Sequence, residues 1–274
     1  MSTTKVTLNE KQWKSFCKTL QGLGKQCSDA DINDGVIRQR SNDAAAIFEV
    51  DLTPILGSST FTLSNIKEKL KVLKDLTGQV EIEADQNKVV FSDGLASYNM
   101  LAADQNYLDN KFMGKQQLDS LLPGVSQETT PLIKHKIEKR NLKRIRNAVS
   151  TFHTNSYKVV FENHSASIIV EQGHGGSKGL KPSMEVPKNI PLSEPTTGYM
   201  RLPDSPFQSF DYEGDIGWEV YRGNKSFFSK HYGSIGEVTA STYTKGELKN
   251  DEPEPPQQPE EIQEEGVEES ETKA

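Results

Sequence analysis

A chain of 274 residues with mean hydropathy -0.65, and without an apolar run of the roughly 18 residues that a membrane helix needs, is not expected to span a bilayer. Residues 1–9 hold no apolar signal segment, and two cysteines, Cys17 and Cys27, are too few for a disulfide framework or a zinc site, so a cytoplasmic location is expected. The net charge of -7 is unevenly spread: residues 251–274 hold ten acids against one lysine, a net of -9, which leaves residues 1–250 at +2.

The stretch Thr7–Cys27 predicts an amphipathic helix. Trp13, Phe16, Cys17, Leu20 and Leu23 fall on one side, and Lys11, Lys14, Lys18 and Lys25 fall opposite. Thr7 followed by Glu10 has capping-box spacing, and Gly22 and Gly24 loosen the end. Residues 29–35 read as a turn, followed by strands at Val36–Arg38 and Ala44–Leu52. A second helix, Leu63–Leu76, carries Leu63, Ile66, Leu70, Leu73 and Leu76 beside a face of Lys67, Lys71 and Lys74. A meander follows at Gln79–Ala84, Lys88–Ser92 and Leu95–Leu101, its last turn marked by Asp93-Gly94.

Residues 109–131, with Gly114, Pro123, Gly124 and Pro131, lack a sustained period and read as a connector. The order then begins again. A strand at Leu132–Ile137 precedes a third helix, Glu138–Phe152, which sets Leu142, Ile145, Val149 and Phe152 against Arg140, Lys143 and Arg144, with Lys139 and Arg146 more lateral. Tyr157–Glu162 and Ala166–Gln172 predict a hairpin across Asn163-His164-Ser165. Gly173–Pro195 reads as a loop. After a strand at Tyr199–Leu202, the piece Pro203–Asp211 stands where a second helix would repeat, and three strands follow at Ile216–Arg222, Ser226–Tyr232 and Glu237–Tyr243. The expected domains are 1–108 and 132–246, joined by the connector and followed by a disordered acidic tail over 247–274. The tail either shields the lysine faces from phosphate or serves only solubility.

Constellations for catalysis are missing. The five histidines show no HExxH spacing and there is no GxSxG elbow. Gly173–Gly179 (GHGGSKG) lacks the order of a phosphate loop, and Glu81 with Glu83 reads as a solvated strand face. The expectation is a protein that is not an enzyme, without catalytic residues, cofactor or metal.

Lysines on one solvated helix face are ordinary. Three separate helices share that design, and the order helix, strands, helix, strands, then a connector and the same again, with those basic helices, resembles a DNA sliding clamp. The likeness is to the two-domain processivity clamps of tailed phages, relatives of proliferating cell nuclear antigen. It is carried by residues 29–52 with 61–101, and by 198–228. It implies an α+β fold of two topologically similar domains, each of antiparallel sheets with helices on one face, closing as a homotrimer around double-stranded DNA. The implied lining is Lys11, Lys14, Lys18, Lys25, Lys67, Lys71, Lys74, Arg140, Lys143 and Arg144, holding phosphate without reading bases. The implied partners are a DNA polymerase and a clamp loader, in phage replication with a link to late transcription, in the host cytoplasm. Gln116–Leu122 (QQLDSLL) resembles the short peptide that clamp partners insert, although local packing is the simpler role for it.

Two other readings stay open. One is a monomeric protein with a clamp-like fold that binds DNA directly in replication or transcription. The other is a single-stranded DNA-binding protein with an acidic tail, its bases stacking on Trp218, Tyr221, Phe227, Phe228 and Tyr232.

Overall fold

The computed structural model describes residues 4–102, 115–121, 130–172, 183–186, 189–223 and 226–249. The first half comprises β1 (Thr4–Leu8), α1 (Glu10–Leu23), β2 (Ala30–Ile32), β3 (Val36–Arg40), β4 (Ala46–Asp51), α2 (Thr53–Leu56), β5 (Phe61–Leu63), α3 (Ile66–Leu73), β6 (Val80–Ala84), β7 (Lys88–Ser92) and β8 (Ser97–Leu101). Then come α4 (Lys115–Leu121), β9 (Ile133–Ile137), α5 (Lys139–Thr151), β10 (Ser156–Glu171), β11 (Ser183–Glu185), β12 (Ile190–Pro203) and α6 (Ser205–Gln208). The chain finishes its described part with β13 (Ile216–Arg222), β14 (Phe227–Ile235), β15 (Val238–Gly246) and β16 (Leu248–Lys249).

The fold is α+β, with antiparallel sheets. One sheet runs β1-β6-β7-β8, a second β11-β10-β12-β16, and a two-stranded ribbon pairs β2 with β5. The largest, β3-β4-β15-β14-β13-β9, draws strands from both halves of the chain. Its seam is the β4–β15 ladder, registered from Thr239↔Asp51 to Thr244↔Ala46. One apolar core runs through both halves, from Trp13, Phe16 and Phe91 to Tyr157, Phe207 and Trp218.

Helix α1 lies on the first sheet, where Trp13 stacks on Phe16 at 5.6 Å and meets Phe91 at 5.9 Å. It also packs against β14 and β15 of the other half. In the second half α5 buries Leu142, Ile145 and Val149 toward β10, and Tyr157 meets Phe207 edge-on at 4.7 Å. The alternating meander strands behave as expected, with Val80, Ile82 and Ala84 inward and Glu81 and Glu83 outward. Those two glutamates bracket Lys5 at 3.4 and 2.6 Å. In the turn before β8, Asp93 accepts from the Thr77, Leu95 and Ala96 amides, and Gly94 takes φ 84°.

Several boundaries differ from the sequence expectation, each for a local reason. Thr7 is drawn into β1 opposite Glu81, so the first helix starts later. Its capping box is Asn9 with Gln12, which exchange bonds of 3.0 and 3.1 Å. The segment read as a turn at 29–35 contains β2, whose partner β5 removes Leu63 from the second helix. Asn65, at φ 49°, then starts α3, its amide bonded to Asp29. Asn163-His164-Ser165 lies inside one long strand, in place of the expected hairpin: both flanks of β10 pair with β12, and the register shifts between Asn163, φ 58°, and Ser165, the extra residues 192–195 being on β12. Ile190–Pro195, expected in a loop, opens β12. Leu248 and Lys249, assigned to the acidic tail, pair with Met200 and Tyr199 as β16. The glycine-rich 173–179 and the chain beyond 249 lie outside the described residues.

Where a fourth long helix would repeat the plan, Pro203–Asp211 forms only the four-residue α6. Gly22 allows α1 to touch the segment after it. A methyl there would meet Phe210 Cδ1 at 2.5 Å and the Ser209 carbonyl at 2.8 Å. On an isolated helix Gly→Ala gains about 1 kcal/mol. Here we expect Gly22→Ala to destabilise by about 1–3 kcal/mol through overpacking, read as a lower urea midpoint with an unchanged denaturant slope.

Candidate nucleic-acid interface

The apolar stripes dictate where the cations go. Leu20, Leu23, Ile66, Leu70 and Leu73 are buried where α1 packs on α3, so the lysines between them face outward along the seam. Trp13 fixes the arrangement by donating its indole N–H to the Leu76 carbonyl at 3.1 Å, at the end of α3. Lys25, Lys67, Lys71 and Lys74 line one groove of about 530 Å³ between the two helices, together with Gln21, Gly24 and the buried Leu70. Lys74 donates to Gln21 at 3.0 Å across it.

On the other side of α1 lies the strap 207–213, and beyond it α5. Lys25 donates to the Gln208 carbonyl at 2.8 Å, and Lys18 meets Glu213 at 3.2 Å. From α5, Arg146 donates to the Phe207 and Phe210 carbonyls, and Lys139 donates to the Glu213 carbonyl at 3.3 Å. Lys18 to Lys25 and Lys139 to Arg146 are the same seven-residue interval, a rise of about 10 Å. The two helices therefore run side by side in one direction, with the strap antiparallel between them. Three basic helices from both halves thus share one face.

Sequence comparison returns nothing: no family model and no curated protein matches the chain. Solved structures do. The chain is similar to Entamoeba histolytica proliferating cellular nuclear antigen (PCNA), with a TM-score of 0.61 at 10% identity over 89% of this chain and 98% of that one. A second similar structure is A. fulgidus PCNA bound to the C-terminal region of FEN-1. It has a TM-score of 0.58 at 10% identity over 90% and 99% of the two chains. A third is the PCNA2-PCNA3 complex of Sulfolobus tokodaii, at 0.55 and 12% identity over 89% and 99%. The fold is that of a PCNA-like DNA clamp.

All ten cations singled out from the sequence are exposed in this clamp fold, but they are not equivalent. Lys11 pairs with Glu237 at 3.3 Å, Lys14 with Glu10 at 2.5 Å, Lys18 with Glu213 at 3.2 Å and Arg140 with Glu138 at 2.6 Å. Lys25 leans on the strap, where partial burial and then the nearby Arg146 guanidinium lower its pKa against the opposing pull of Asp211. Lys67, Lys71, Lys143 and Arg144 make no ion pair with any described residue. Lys69, on the same helix as Lys67, turns away to Ser64 and the Leu101 carbonyl.

Other candidate sites fall away. Of the five aromatics considered for base stacking, Trp218, Tyr221, Phe227 and Phe228 are buried and Tyr232 is half-buried, its hydroxyl donating to Glu219 at 3.2 Å. Leu118, the first leucine of Gln116–Leu122, packs onto Phe228, Tyr243 and Ile47 of the chain's own sheet. Among the described residues no group of His, Cys, Asp or Glu is placed to hold a metal ion, and no helix is long and apolar enough to cross a membrane.

Arg146 separates structural from available charge. Arg146→Ala strips the donor from two strap carbonyls and from Asp211, and we expect it to destabilise by about 2–3 kcal/mol. Lys143→Ala, one turn away on the same helix, should stay within about 0.5 kcal/mol of the parent. Thermal or urea unfolding of the two variants checks the difference.

Proposed function

We propose that this protein is a sliding clamp: copies assembled into a ring around duplex DNA, keeping a DNA polymerase on its template. One observation carries the reading, the convergence of α1, α3 and α5 from both halves on one cationic face of a PCNA-like fold. Lysine and arginine at that face give diffuse phosphate contacts with no base readout, which suits a protein that must move along DNA. The protein acts as a scaffold and not as an enzyme, with residues 1–108 and 132–246 as its two like units.

The sheets supply an argument for the ring. Inside the chain, the outer strand of the second meander, β15, pairs with β4 of the β3–β4 hairpin. The matching pieces at the two ends of the molecule are open. β8, outer strand of the first meander, bonds only to β7 among the described strands, and β11, hairpin partner of β10, bonds only to β10. Two of the three exposed large apolar residues among those described flank this edge, Leu95 at 94% exposure in the turn before β8 and Leu101 at 79% at its end. An open strand edge carrying apolar side chains is a template for another chain. Pairing β8 of one copy with β11 of the next repeats the internal seam, and the clamp resemblance supports closure after three copies.

The likeness to two-domain phage clamps supports a place in phage DNA replication, with a clamp loader to open the ring and a link to late transcription. The A. fulgidus neighbour, which holds the C-terminal region of FEN-1, supports a role as a docking platform for peptides of replication enzymes.

Native mass measurement is expected to give a species near three times 30.5 kDa, converted to monomer by Leu101→Glu. A strictly monomeric parent would sink the ring and favour the monomeric DNA-binding protein. Independently, Lys67→Ala with Lys71→Ala should weaken duplex binding and flatten the slope of log affinity against log salt by about 1.8, roughly 0.9 for each phosphate no longer neutralised.

A further inference from the structure

The quarter of the cationic face that lacks a long helix is acidic instead. Where the first half presents Lys67, Lys71 and Lys74, the strap continues as Asp211, Glu213 and Asp215, and the β14–β15 turn adds Glu237. Each of these acids meets a cation of a neighbouring basic element. Asp211 holds Arg146 at 3.2 Å, and Asp215 holds Lys136 at 3.2 Å and accepts the Lys139 amide at 2.9 Å. Glu213 and Glu237 reach back to α1, to Lys18 and Lys11.

The roots of the last two are fixed by packing. Tyr212 is buried, and a methyl on Gly233 would strike its ring at 2.7 Å. The Glu213 amide bonds to the Ser234 carbonyl at 3.0 Å. Gly236, at φ 62°, is seated on α1, where a Cβ would lie 2.0 Å from Ser15 Oγ, and Gln12 donates to the Glu237 carboxylate at 3.4 Å. Two carboxylates rooted in the second half thus sit against lysines of the first; Glu213 lines a groove with Lys11, Lys14, Lys18 and Glu10, and Glu237 pairs with Lys11 next to it.

We infer that Glu213 and Glu237 are internal competitors for phosphate, which hold Lys18 and Lys11 out of the DNA contact and so keep the grip of α1 weak. The inference rests on the DNA-clamp reading and adds a regulation to that same face. Exposed pairs of this kind contribute only about 0–1 kcal/mol to the fold, so their consequence is not stability. A phosphate that approaches Lys18 meets the Glu213 carboxylate as well, and the lysine it would neutralise is already neutralised. Duplex is then gripped chiefly by Lys67, Lys71, Lys143 and Arg144, and fewer bound counterions are released than the number of lysines suggests. A clamp that slides gains from this restraint.

The test is the double variant Glu213→Gln with Glu237→Gln in the full-length protein, which keeps side-chain shape and removes charge. Affinity for a linear duplex, which can thread a ring from its ends, is measured by fluorescence anisotropy between about 50 and 200 mM salt. Two lysines returned to phosphate should steepen the slope of log affinity against log salt by about 1.8, so the advantage of the variant over the parent shrinks about tenfold across that range. Glu81→Gln with Glu83→Gln makes the same change of net charge on the sheet face away from the helices, and its slope should match the parent. An unchanged slope in the first variant, or equal steepening in both, overturns the inference while the DNA reading stands. Absence of duplex binding by parent and variant alike overturns both.

Discussion

Everything on the cationic face depends on the ladder between β4 and β15. Those strands come from opposite halves of the chain, and their pairing closes a six-stranded sheet that neither half could make alone. Once that sheet exists, α1 has two surfaces to cover: the first sheet through Trp13 and Phe16, and β14 and β15 beyond the seam. A helix held on both sides cannot rotate. Its lysines are consequently presented between α3 and the strap, and the strap in turn carries the register of α5. The electrostatic face is a product of the sheet joint, because burying the apolar stripes leaves the charged stripes one direction to point.

The same joint explains why charge at this surface must be counted by partner and not by residue. Helical periodicity puts lysines on a face; it is silent about acids that arrive from loops about two hundred residues away. Lys18 with Glu213 and Lys11 with Glu237 are contacts of that kind, made across the seam. Arg146 shows the opposite case. On a helical wheel it is a lateral cation, but in the fold it serves backbone carbonyls of the strap and belongs to the packing. What remains available to an anion is a subset, spread over α3 and α5.

How much of this is legible in the sequence follows from the range of the interactions involved. The three basic helices are legible because their apolar residues recur at helical spacing over several turns, and the meanders because Val80, Ile82 and Ala84 alternate with glutamates and Asp93-Gly94 marks a turn. The cap falls two residues from its expected place, since Thr7-Glu10 and Asn9-Gln12 satisfy the same spacing and only the pairing of β1 with β6 chooses between them. Asn163 reads as a turn because asparagine tolerates the left-handed region in turns and bulges alike. The distinction lies in the partner strand β12, which is far off in sequence. Of the site, the ten cations are all exposed as expected, whereas their division into paired and unpaired is out of reach of any local pattern.

The two halves share a plan but not a charge. In the first, the second helix position is filled by α3 with Lys67, Lys71 and Lys74; in the second, it is filled by α6 and an acidic strap. The reason the strap can replace a longer helix is mechanical: Phe207, Phe210 and Tyr212 send three aromatic rings into the core, and Arg146 ties the Phe207 and Phe210 carbonyls, so beyond the single turn of α6 the segment is held by its packing and by α5. Freed from supplying a lysine stripe, it supplies carboxylates. In the proposed ring built from such chains, three basic helices and one acidic strap would repeat with each chain around the bore. A duplex inside would then face several separated basic ridges in place of a uniform cylinder, and it could move from one to the next by releasing only a few phosphates at each step.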